Sequence, residues 1–194
     1  MFARTDRLLL RPSWPEDAAE LLHAVADEAI VRNLGTLPWP YSADDARAFV
    51  AREHSLYYPN FLVFQRTDGA PRLIGACGIH NANGDAELGY WIARPYWGLG
   101  FASEAARAVI AIARTVGHQR LVSGHFTDNP ASGRVLRKLG FRATGRLEMR
   151  QSNGRGRKVQ CALFERTLGH ENGDASDTSG RDMIMPYDAQ LIAA

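Results

Sequence analysis

The chain has 194 residues, enough for one domain with an ordinary core; 45% are hydrophobic and 23% charged, as in an average soluble globular protein. A net charge of +2 gives no electrostatic case for DNA. No apolar run approaches the roughly 18 residues that a membrane helix needs, and the N-terminus lacks a charged-then-apolar leader pattern. Two cysteines, Cys77 and Cys161, are too few for a disulfide framework and read as buried free thiols in a reducing compartment, so the expected location is the cytoplasm.

Arg4–Pro12, RTDRLLLRP, reads as a first strand closed by proline. Glu16–Leu34 follows as a helix with Ala19, Leu21, Leu22, Val25, Ala29 and Ile30 on its apolar stripe. Gly35–Tyr41 is a turn-rich loop. Ser42, with Asp44 and Asp45 behind it, is a helix start whose carboxylates meet the dipole, and that helix runs to about His54. Phe61–Arg66 and Arg72–Ile79 are strands joined through Asp68-Gly69, with Gly75 and Gly78 marking bends. A turn over Asn81–Asp85 leads into the strand that begins at Glu87.

That strand opens the most informative stretch, Glu87–Ala108, ELGYWIARPYWGLGFASEAARA. Glu87, Gly89, Trp91 and Ala93 alternate with Leu88, Tyr90 and Ile92, the two-residue period of an extended segment, and Arg94-Pro95 ends it. Trp97-Gly98-Leu99-Gly100-Phe101-Ala102 is a tight glycine loop. A helix follows with Ala105, Ala106, Val109, Ile112, Ala113 and Val116 on one face, stopped by Gly117. Strand, glycine turn and helix N-terminus form an arrangement suited to phosphate: the first helical amides lack internal partners, and glycine lets an anion approach them. A dinucleotide fingerprint fits poorly. Ser103 stands in place of a third glycine, and Gly117–Val122 has no carboxylate for a ribose.

Arg120–Thr127 is a further strand. Asn129-Pro130 opens a helix with proline at its first position; Val135, Leu136 and Leu139 bury it and Gly140 ends it. Phe141–Gln151 and Arg157–Thr167 are the last strands, joined around Asn153-Gly154. Arg142, Arg146, Arg150, Arg155, Arg157 and Lys158 make that hairpin basic, and a solvated strand face is the expectation. Leu168–Asp182 is too polar to bury itself and reads as a flexible linker. Met183–Ala194 turns apolar again, a short segment that either docks or ends the chain. The expected division is therefore a domain over 1–167 and a tail over 168–194.

The glycine loop and its strand closely resemble the acyl-CoA motif of the GNAT superfamily of N-acetyltransferases, and most of all the branch that acetylates the N-terminal alanine of ribosomal proteins. Gly98 and Gly100 fill the glycine positions of its Q/R-x-x-G-x-G/A loop, while Pro95 departs from the Gln or Arg. The T-x-R-L-x-L-R opening and Asn129-Pro-Ala-Ser132 with the following VLRKLGF resemble further motifs of the same family, and the match covers roughly residues 4–167. It implies an α/β (α+β) GNAT fold, a mixed and mainly antiparallel sheet of about seven strands with four helices, whose central strands splay around acetyl-CoA as cosubstrate.

The resemblance also implies roles. The amides of Trp97, Gly98, Leu99, Gly100, Phe101, Ala102 and Ser103 would hold the pyrophosphate. Backbone groups of Trp91, Ile92 and Arg94 would pair with the pantetheine arm, joined by Asn129. A backbone N–H from Tyr90 to Ile92 would polarise the thioester carbonyl. Ser132 would protonate the leaving thiolate; its plainer reading is a first-turn residue satisfying helix amides. Glu87 would be the base, since a carboxylate on a core strand is costly without a task or a partner; a nearby Arg would be such a partner. His80 borders the acceptor pocket or is structural, and His125 is read the same way. His23, His54, His118 and His170 share no metal-ligand spacing, so no metal is expected.

The pocket should be lined by Leu34–Tyr41, Glu87 and the final hairpin. The acceptor is then an amine, either a protein N-terminus or, alternatively, a small amine such as an aminoglycoside or polyamine. A non-catalytic acyl-CoA-binding regulatory module is the third reading, and a homodimer stays open.

Overall fold

The computed structural model describes residues 1–169; the tail reading for 170–194 lies outside them. Eight strands form one sheet in the order β1-β2-β3-β4-β5-β6-β8-β7. They are β1 (Ala3–Arg4), β2 (Leu8–Arg11), β3 (Asn60–Gln65), β4 (Arg72–Ala82), β5 (Asp85–Ile92), β6 (Arg120–Phe126), β7 (Arg142–Ser152) and β8 (Arg157–Thr167). All neighbours run antiparallel except β5 and β6.

The single opening strand expected over Arg4–Pro12 is a small hairpin. The Thr5 hydroxyl accepts from the Leu8 amide and Thr5 N–H donates to the Leu8 carbonyl, folding β1 back on β2. That raises the strand count from about seven to eight. The helix expected over Glu16–Leu34 is likewise broken. It becomes a 3-10 turn at Pro15–Asp17, α1 (Ala18–Val25) and α2 (Glu28–Val31). Ala26 leaves the helical region, and the Asp27 carboxylate caps the restart by accepting from Ala29 N–H at 2.8 Å. With α3 (Ala43–Val50), α4 (Phe101–Thr115) and α5 (Pro130–Lys138), the described residues hold five α-helices rather than four.

Local signals place the other elements well. Ser42 and Asp45 form a reciprocal capping box at α3, which ends at Val50, short of His54. Asn83 and Gly84, with φ of 54° and 93°, make the two-residue turn between β4 and β5. Gly75 and Gly78 mark close approach rather than bends: a Cβ on Gly75 would lie 2.2 Å from the Trp91 carbonyl, and one on Gly78 would overlap Asn60.

Two apolar layers sandwich the sheet. Leu8, Leu10, Ile74, Ile79, Leu88 and Tyr90 pack under α4 and α5, while Leu62, Phe64, Trp91 and Ala93 pack under α1–α3. Adjacent residues of β5 therefore face opposite layers, as the strand period requires. Leu168 is also buried, its N–H on the Gln119 carbonyl, so the packed body runs one residue past the expected boundary.

Candidate active site

The parallel ladder between β5 and β6 has one register pair, Glu87 with Val122. Beyond it the strands part. The Ala93 amide reaches the Ile74 carbonyl on β4 at 2.7 Å, so by antiparallel alternation the amides of Tyr90 and Ile92 point the other way, into the gap. Two carbonyls on that edge are taken: Ser123 Oγ donates to Leu88 O at 2.9 Å, and the Trp97 indole donates to Ile92 O at 2.6 Å. The indole bond ties the glycine loop to the end of the strand.

In that loop Gly98 and Gly100 have φ of 77° and 84°, a region closed to most side chains, and Gly100 caps α4. Ala102 and Ser103 lie in the first turn of α4, with Ser103 buried. Arg7, in the turn just before β2, braces the loop. Its guanidinium donates to Leu99 O at 3.1 Å and to Glu104 Oε2 at 2.7 Å, and stacks 4.3 Å over the Phe101 ring. No local pattern in the sequence announces this brace, which joins residues 92 and 97 positions apart. The Arg94 side chain is exposed and lies 3.7 Å from Asp27.

On the α4–α5 side of the gap, Asn129 caps α5 and Ser132 is buried in its first turn. The Tyr90 hydroxyl stands 2.8 Å from Ser132 Oγ, a contact that reading Tyr90 by its backbone alone missed. Burial raises the Tyr90 hydroxyl above its ordinary pKa, with the bond to Ser132 opposing. It is therefore a protonated donor at neutral pH.

On the opposite side lies a cleft of about 470 Å³, lined by His80, Glu87, Val122, Thr144–Gln151 in part and Leu163–Glu165. Glu87 is 1% exposed and accepts from Arg150 Nη1 at 2.6 Å. Desolvation raises its pKa from the ordinary carboxylate value, while the Arg150 charge and hydrogen bond pull back. His80 faces Glu87 across the β4–β5 ladder. Burial first, and then Arg150, lowers its pKa to about 4, so it is neutral; its Nδ1 has no partner among the described residues.

Two expectations need correction here. The loop over 34–41 does not line this cleft. It is sealed against the β7–β8 turn, where Asn153 N–H donates to Gly35 O, Asn153 Nδ2 to Thr36 O and Ser152 Oγ to Leu34 O. Nor is the basic hairpin simply solvated. Arg150 turns inward to Glu87 on β5, and Arg155 forks onto Asp128, in the turn between β6 and α5, at 2.7 and 3.0 Å, because these carboxylates face them. His125 is buried with Nδ1 on the Phe126 carbonyl, and His118 Nε2 meets the Tyr57 carbonyl. Among the described residues no group of three His, Cys, Asp or Glu could hold a metal ion, and no helix is long and apolar enough to cross a membrane.

An open, mostly antiparallel sheet that parts at its parallel pair, with a glycine-capped helix at one end of the gap, is the arrangement that the sequence resemblance implies for an acyl-CoA-dependent acyltransferase. The chain belongs to the GNAT acetyltransferase family: residues 7–142 match the model of the acetyltransferase (GNAT) domain. It is an acetyl-CoA-dependent N-acetyltransferase. YoaA of Bacillus subtilis (strain 168), an uncharacterized N-acetyltransferase, is 33% identical over 148 residues, 73% of this chain and 82% of the relative. The N-acetyltransferase p20 of Bacillus licheniformis is 29% identical over 82% of this chain and 92% of its own length. Among solved structures the fold matches RimL, a ribosomal L7/L12 α-N-protein acetyltransferase in complex with coenzyme A, with TM-score 0.71 and 22% identity over 86% of this chain and 98% of that one. It also matches the microcin C7 self-immunity acetyltransferase MccE, bound to acetyl-CoA and AMP, with TM-score 0.69 and 18% identity over 84% and 93%.

Proposed function

We propose that the chain moves the acetyl group of acetyl-CoA to the free α-amine of a protein N-terminus by direct attack in a ternary complex. The observation that carries this reading is the division of β5: Glu87 lies on one side of the parting strands and the Tyr90–Ser132 hydroxyl pair on the other. One reacting partner can thus be served from each side. The likeness to RimL supports the acceptor class.

In this reading the amides from Trp97 to Ser103 receive the pyrophosphate at the positive end of α4. Asn129 and the backbone of Trp91, Ile92 and Arg94 hold the pantetheine arm. The Tyr90 and Ile92 amides polarise the thioester carbonyl. Glu87 takes the proton from the amine through a water as the N–C bond forms, and Gly89 leaves space for the acceptor. The C–S bond then breaks, and the hydroxyl pair returns a proton to the thiolate. An α-amine has a pKa near 8, so the base has little to do, and alignment supplies much of the rate.

Glu87→Gln keeps a hydrogen-bond acceptor for Arg150 but removes the proton acceptor. Turnover of an alanyl peptide, followed by thiol release, should fall about 10²-fold with acetyl-CoA affinity unchanged. The penalty should shrink at high pH, where the amine deprotonates unaided. Full activity at pH 6.5 would overturn the role of Glu87.

A further inference from the structure

We infer that Arg150 reads the acceptor: the site takes an amine that carries a carbonyl or carboxylate oxygen on the adjacent carbon, and Arg150 exchanges Glu87 for that oxygen when the amine arrives. The inference rests on the acetyl-acceptor reading of the cleft.

Glu87 is the natural seat for an incoming ammonium, but in the free protein it is already neutralised. Arg150 Nη1 sits 2.6 Å from Glu87 Oε1, with side-chain exposures of 19% and 2%. An ammonium that takes over Glu87 leaves a mostly buried guanidinium holding only Glu148, whose Oε2 is 3.6 Å from Arg150 Nε. Such a group must find another oxygen, because an unpaired buried cation is strongly disfavoured. An α-amino carbonyl brings one. From standard bond lengths its nitrogen and oxygen lie about 3 Å apart, close to the spacing of the ion pair they would join. The planar fork of arginine can donate to the new oxygen and keep Glu148.

The remaining walls point the same way. His80 lies opposite Glu87 with an unpartnered, buried Nδ1 and carries no competing charge. The other cations of the cleft are occupied: Arg120 pairs with Asp85 and Glu165, and Arg146 with Glu148 at 3.0 Å. A polyamine would satisfy Glu87 while giving Arg150 nothing.

The test is calorimetry on the full chain saturated with coenzyme A at pH 7, where each probe is an ammonium. Alaninamide should bind about 10- to 10²-fold more tightly than isopropylamine, which replaces the carbonyl by a methyl, the worth of one charge-assisted hydrogen bond. Arg150→Gln should bring that ratio near one. Arg150→Lys, which keeps the charge beside Glu87 and protects the fold, should leave an intermediate ratio, since a point charge replaces the fork. An alanyl tetrapeptide and free alanine separate the two sources of this chemistry, a protein N-terminus and a free amino acid. Equal binding of alaninamide and isopropylamine, or an undiminished ratio in Arg150→Gln, overturns the inference. An Arg150-dependent ratio, with no thiol release from any probe when acetyl-CoA replaces coenzyme A, upholds it and removes the proposed function instead. No binding by any probe removes both.

Discussion

The two halves of the sheet are held by different physics. From β1 to β5 helices cover both faces, and the side chains between them are aliphatic or aromatic: Leu8, Leu10, Leu62, Val63 and Ile74 are all sealed. From β6 to β7 the face toward α1–α3 is open, and arginines span it instead: Arg150 to Glu87, Arg155 to Asp128, Arg120 to Asp85. Packing gives one rigid arrangement, whereas ion pairs can be exchanged for a ligand's charges. The half with the fixed backbone carries the expected cofactor loop, and the half with the exchangeable charges carries the cleft proposed to take the acceptor.

The rung His80–Glu87 marks the border between them and should show the largest effect. His80 has its pKa lowered to about 4, so between its ordinary value of 6.5 and that figure the unfolded chain binds the proton that the folded chain refuses. Its contribution is therefore lost as pH falls through this window, about 3 kcal/mol in all at 1.36 kcal/mol per unit. Glu87, raised, acts in the opposite sense, losing stability as pH climbs from its ordinary value through its higher folded one. Chemical denaturation of wild type and His80→Gln at pH 4 and pH 7 isolates the histidine. An equal pH dependence in the two proteins would mean that His80 is not desolvated.

Gly100→Val tests the fixed half with a slightly smaller effect. A branched side chain cannot hold φ of 84° without strain, and the loop amides would turn away from the anion. Acetyl-CoA at a hundredfold excess over its Kd should stabilise wild type by about 2.7 kcal/mol, and the variant by none. An unaltered thermal shift in the variant would show that the amides of this turn do not hold the cofactor.

What the sequence made legible follows the same division. The glycine loop, α4, the Asn129-Pro130 start of α5 and the Ser42 cap are written within a few residues of themselves. The separation of β5 into two faces follows from its period alone. What stayed hidden is pairing at long range. Six basic residues between Arg142 and Lys158 look alike in the chain, and only the β7–β8 register and the turn that joins those strands bring Arg150 and Arg155 to carboxylates 63 and 27 positions away. The brace of Arg7 on Glu104 and the contact of Tyr90 with Ser132 are hidden for the same reason. The break in the helix expected over Glu16–Leu34 is hidden differently: Ala26 and Asp27 fit a helical period, but the Asp27 side chain gains more by capping than by continuing.

The smallest effect is expected in the charged half, at Arg155. Its side chain is 8% exposed, and the guanidinium donates to the Arg32 carbonyl at 2.6 Å and to Asn33 Oδ1 at 3.2 Å as well as to Asp128. It thereby joins the β7–β8 turn to the end of α2 and to the residue before Asn129. Asp128 itself is 45% exposed, so water screens the ion pair and part of its Coulomb energy is already lost. The backbone contact and the lid over Phe126, 5.1 Å below the guanidinium, are not screened in that way. Arg155→Gln should thus cost only about 1–2 kcal/mol, measured by urea denaturation, and raising salt should narrow the gap by removing the ionic part. If salt leaves the gap unchanged, packing and the backbone bonds hold this turn, and the contrast between the halves is confined to Arg150 and Arg120. If the gap closes entirely, the turn is held by charge alone, and Asn129 should lose order with it.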